Sequence, residues 1–129
     1  MRKLLLMMML FIAASLALMG CSNHEVKIDE SMNGQDVKAA VGDTLVVTLP
    51  GNPTTGFTWE AVDLDTAILA SAGEAEFKAD SEALGASGMV TLKFKAAGAG
   101  ATTLKLIYHR TFEPDVAPEK TFEVNVTVK

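Results

Sequence analysis

Residues 49–60 read Leu49-Pro50-Gly51-Asn52-Pro53-Thr54-Thr55-Gly56-Phe57-Thr58-Trp59-Glu60, and this stretch decides how the rest of the chain is read. It carries two of the four prolines and the only tryptophan. Pro53 fixes its own φ and has no N–H, so it does not belong in a central strand. Asn52 can hydrogen-bond its own backbone, and Gly56 can take a positive φ. On either side lie sheet-like runs, Thr44-Leu45-Val46-Val47-Thr48-Leu49 before and Phe57-Thr58-Trp59-Glu60-Ala61-Val62 after. The stretch is therefore a turn at the end of a β-structure, with two small hydroxyl residues at its tip.

Working outward, the two-residue period of half-buried strands recurs along the chain. Val26–Asp29 alternates apolar and polar, and Val37–Val41 does so weakly. Asp65–Ala70 fits one helical turn or a short strand equally well, and Glu74–Ala79 reads as a strand. Met89–Ala96 puts Val90, Leu92, Phe94 and Ala96 on one face. Thr102–Tyr108 is a further strand, His109–Pro118 a loop, and the last run places Phe122, Val124, Val126 and Val128 together. About seven to eight short strands, with no helix-period segment between them, predict an all-β fold: an immunoglobulin-like antiparallel β-sandwich. Trp59 is its expected aromatic centre.

The chain has 129 residues, enough for one domain with one core. Its formal charge is −5, and without Arg2 and Lys3 nine basic residues face sixteen acidic ones, a balance of −7. An acidic domain is a poor fit to nucleic acid. With a single cysteine there is no intrachain disulfide. The start reads as an export signal: Arg2 and Lys3, then an apolar run Leu4–Leu18 too short to span a bilayer, then Leu18-Met19-Gly20-Cys21. That last string resembles a bacterial lipoprotein box cleaved before Cys21, which implies lipid on Cys21. Ser22 after it matches lipoproteins sent to an outer membrane. The expected organisation is a signal peptide over 1–20, a lipidated cysteine and tether over 21–25, and a domain over 26–129, exported and anchored at the cell envelope.

The string Asn52-Pro53-Thr54-Thr55-Gly56-Phe57 resembles the signature loop of the chagasin-like inhibitors of papain-type cysteine proteases. That family pairs an immunoglobulin-like sandwich with three loops at one end. A glycine-rich second loop has its counterpart in Gly85-Ala86-Ser87-Gly88, where missing side chains let backbone approach a partner. The third family loop places an aromatic residue before Arg-Pro-Trp. Here Tyr108 and His109 precede Arg110, with Thr111 in place of proline and Phe112 in place of tryptophan. The departure gives up some rigidity and an indole N–H while keeping a flat aromatic anchor.

The resemblance implies a reversible, non-covalent inhibitor of a papain-family cysteine protease that occludes the cleft. Thr54 and Thr55 would offer hydroxyls and backbone groups to the catalytic pair. Residues 85–88 and 110–112 would embrace the cleft on either side. It implies no catalytic residue, no metal and no cofactor, and nothing calls for more than a monomer. Enzyme motifs are missing: there is no G-x-S-x-G, no H-E-x-x-H, and only two isolated histidines, His24 and His109. The competing class is a surface-tethered immunoglobulin-like adhesion or envelope-interaction module. The two part on whether Thr54, Gly85–Gly88 and Phe112 gather, exposed, at one end.

Overall fold

The computed structural model describes residues 24–129, so the leader and Cys21 lie outside the described residues. Among the described residues nine strands form two packed sheets. They are β1 (Glu25–Asp29), β2 (Asp36–Ala39), β3 (Thr44–Gly51), β4 (Phe57–Val62), β5 (Leu69–Ser71), β6 (Glu76–Ala79), β7 (Gly88–Ala96), β8 (Gly100–Arg110) and β9 (Lys120–Val128). One sheet runs β1-β3-β7-β5, with β6 also on β7; the other runs β2-β9-β8-β4.

Strict alternation builds the core. Leu45, Val47 and Leu49 of β3 and Val90, Leu92, Phe94 and Ala96 of β7 face Leu104, Leu106 and Tyr108 of β8 and Phe122, Val124, Val126 and Val128 of β9, all buried. Trp59 lies among them at 5% exposure, in the expected place. Its indole N–H donates to the Pro50 carbonyl at 3.0 Å, so the ring is buried with its polar edge satisfied.

The sandwich is not wholly antiparallel. β1 pairs with β3 in parallel, and β2 with β9 in parallel. The chain crosses between sheets after β1 and again after β2. Two reversals return β3 to the direction of β1, so these two strands meet in one sheet pointing the same way. Three boundaries have local causes, and the last of them differs from expectation. Asp65–Ile68 is a turn, with the Ile68 and Leu69 amides on the Asp65 carbonyl, and β5 follows at once. β4 stops at Val62 because Asp63 takes φ +53. β8 runs on through His109 and Arg110, expected in a loop, because they pair with Thr58 and Phe57 of β4. Pro50 is tolerated inside β3 because β1 accompanies β3 only as far as Thr48, leaving that edge without a ladder.

Strand direction defines two poles. β3 ends, and β4, β7 and β9 begin, at the pole that carries the connections 52–56, 80–87 and 111–119. β1 begins at the other pole, where Glu25 sits beside Thr44. There the buried Asp43 accepts from the backbone N–H of Ala40 and of His24, and the Thr44 N–H donates to the His24 carbonyl. The start of the described chain is thus fastened to the far end of the molecule. Among the described residues no helix is long and apolar enough to cross a membrane.

Candidate functional site

The connection between β3 and β4 is a single 3₁₀ turn over Pro53–Thr55. Proline at its first position has no donor to waste, Asn52 caps it, and Gly56 closes it at φ +84. Asn52 is the hub. Its side-chain oxygen accepts from the Thr54 N–H at 3.1 Å and from the Thr54 hydroxyl. Its carbonyl accepts from the Thr55 N–H at 3.2 Å and the Thr55 hydroxyl at 2.6 Å. Both threonine protons are therefore spent inside the turn. The hydroxyls brace it, and what they leave for a partner is acceptor oxygen and methyl surface. Pro53, Thr54, Thr55 and Gly56 are exposed.

The second connection is the β6–β7 hairpin, closed by the Asp80 N–H on the Ser87 carbonyl at 2.9 Å. Gly85 takes φ +73 at its tip, and beside it Leu84 is fully exposed. Gly88 behaves otherwise than expected: it is buried in β7, and a Cβ there would collide with the Lys78 carbonyl oxygen and come within 2.7 Å of the Ala79 Cα. Its missing side chain makes room for β6, not for a partner.

In the third, Arg110 still belongs to β8 and sends its side chain back across the pole. Its guanidinium lies 4.4 Å from the centre of the Phe57 ring, its Nε donates to the Thr55 carbonyl at 3.0 Å, and an Nη donates to Glu113 at 3.2 Å. Phe112 reaches over Gly56, where a Cβ would sit 3.0 Å from its ring, yet stays 68% exposed. Thr111 is exposed at the bend. Phe57, half-buried, stacks on Tyr108 at 5.1 Å and serves as the floor beneath Arg110.

The three loops make one unit. The Asn52 side-chain amide donates to the Gly85 carbonyl at 3.0 Å, joining the first loop to the second. Arg110 joins the first to the third. Thr54, Gly85 and Phe112 thus gather at one pole with their outer surfaces in solvent; Ala86 is half-buried and Ser87 exposed behind them. Asn52, Phe57, Gly88 and Arg110 hold this surface in place from within. Two residues escaped the sequence reading. Leu84 could have been noticed as a lone large apolar side chain in a polar, glycine-rich loop. Tyr108 was read as the end of a strand and the aromatic residue ahead of the third loop; its tie to the first loop was missed, for its hydroxyl accepts from the Asn52 N–H at 2.8 Å.

Known proteins resemble this chain. Chagasin of Trypanosoma cruzi is 31% identical over 88 residues, 65% of this chain and 80% of chagasin. Amoebiasin-1 of Entamoeba histolytica is 29% identical over 107 residues, 81% of this chain and all of that protein. The crystal structure of the cysteine protease inhibitor EhICP2 of Entamoeba histolytica superposes with a TM-score of 0.72 at 22% identity, over 85% of this chain and the whole of that one, a likeness of fold. The family model of the chagasin family peptidase inhibitors, I42, matches residues 38–126, a span that contains all three loops. The chain belongs to the chagasin family of peptidase inhibitors.

Proposed function

We propose that the chain inhibits papain-type cysteine proteases by filling the active-site cleft with the three linked loops, without a bond being made or broken. The observation that carries this reading is the exposed Pro53–Gly56 tip, locked as a 3₁₀ turn and flanked by Gly85 and Phe112. A protease cleaves a peptide bond only when the bond is aligned for attack. A tight turn whose two hydroxyls donate to Asn52 and whose Thr55 carbonyl accepts from Arg110 presents no such bond. A turn that is ordered before contact loses little conformational freedom on docking, which favours affinity. Phe112, and Leu84 on the opposite side, supply apolar area at the flanks. Membership of a peptidase-inhibitor family, and the shared fold of the cysteine protease inhibitor EhICP2, support a cysteine protease as the target class.

From Leu18-Met19-Gly20-Cys21 we separately infer a lipoprotein: residues 1–20 removed, Cys21 acylated, and the domain held at a cell envelope.

The test is a titration of residues 22–129 against papain with a fluorogenic peptide substrate. The expected outcome is stoichiometric loss of activity, with the domain recovered uncleaved. Thr55→Trp should abolish inhibition while the thermal midpoint stays nearly unchanged, since Thr55 is exposed. A Thr55→Trp protein that inhibits like wild type would remove the first loop from the cleft.

A further inference from the structure

The hydrogen bonds of Asn52 divide into two kinds. Those of its side chain and carbonyl run to other loop residues: Thr54, Thr55 and Gly85. Its backbone N–H alone points down into the sandwich, to the Tyr108 hydroxyl at 2.8 Å. Tyr108 is a firm support. It is 6% exposed, its ring lies 5.1 Å from Phe57 and 5.0 Å from Trp59, and β8 holds its backbone opposite Trp59. Just before Asn52, a Cβ on Gly51 would sit 3.6 Å from that ring, so the chain passes closely over it. The other side chain that grips the first loop from a strand is Arg110, which is 35% exposed and reaches only Thr55.

We propose that Tyr108 is a positioning residue of the inhibitory end: its hydroxyl sets where Asn52 sits, and through Asn52 the height and closure of the Pro53–Gly56 tip. This rests on the protease-inhibitor reading above. Without the hydroxyl the ring still packs between Phe57 and Trp59, and the sandwich is unchanged. The hub of the loop, however, loses its tie to the core. The tip then samples opened forms, which grip the cleft less well and include extended forms a protease can cut.

The experiment compares wild type, Tyr108→Phe and Thr103→Ala. The last also removes one hydroxyl hydrogen bond, to Asn125, but on β8 far from the loops. Against papain, Tyr108→Phe should dissociate at least about tenfold faster, with association little changed. On long incubation it should be cut within 52–56, while wild type and Thr103→Ala stay intact. A loss of general stability alone would not produce that site-specific cut. In the free protein the Asn52 amide should be protected from hydrogen exchange, and exchange about tenfold faster in Tyr108→Phe. Tyr108→Phe dissociating and exchanging as wild type, or an Asn52 amide unprotected in wild type, overturns the proposal. Should wild type leave papain active, the occlusion reading falls, and the amide exchange still decides whether Tyr108 holds the loop.

Discussion

Gly56 answers two demands at once. Its φ of +84 lies in the region that a Cβ penalises, and a Cβ would press on the Phe112 ring at 3.0 Å. Gly56→Ala is therefore expected to cost about 1–3 kcal/mol of stability and to push Phe112 off its seat. Gly88→Ala should cost about as much for a different reason, because β6 backbone stands in the way. Urea midpoints of the two variants check both. Their effects on inhibition should differ: Gly56→Ala weakens it beyond its stability loss, and Gly88→Ala does so only as far as the β6–β7 hairpin loosens. From sequence, the glycines of 85–88 all looked like room left for a partner. Burial separates them, and a one-dimensional string of Gly and Ser holds no signal of which carbonyl will cross which residue.

At the scale of elements, the alternating runs were legible because apolar side chains every second residue have one low-energy solution, a sheet with one wet face. Val90–Ala96 and Phe122–Val128 lie where that rule puts them. What it does not encode is partner and direction. The parallel seams of β1 with β3 and β2 with β9 arise from where the chain changes sheet, and β6, legible as a strand in Glu74–Ala79, has no buried face to announce its pairing on β7. The loop motif was readable as residues, but its inner wiring was not. Thr54 and Thr55 read as offering hydroxyls and backbone groups to a target, and the sequence held no sign that both hydroxyl protons go to Asn52. The third loop keeps an aromatic residue at its exposed bend. Truncation of a buried interface aromatic typically costs about 2 kcal/mol of binding. Phe112→Ala should thus weaken papain binding by roughly that amount and leave the unfolding midpoint within about a degree of wild type, because the ring is mostly in water in the free protein. Binding kinetics and calorimetry on one preparation would read both.

For the molecule as a whole, the lipoprotein reading makes its own prediction. Wild type expressed from residue 1 in a bacterial host should take up radiolabelled fatty acid and sediment with membranes, whereas Cys21→Ser should do neither. A Cys21→Ser protein that still sediments with membranes would argue for an anchor elsewhere. The parallel seating of β1 on β3 then has a consequence for reach. β3 spans eight residues from the pole of Thr44 to that of Gly51, about 25 Å at a strand's rise. Asp43 and Thr44 clamp the root of the tether at the near pole. A domain moored by Cys21 would therefore carry its wedge at the pole remote from the anchor, reaching up to about 25–35 Å above the lipid. It would intercept proteases that drift in from solution, and would stand too tall for any whose cleft hugs the bilayer.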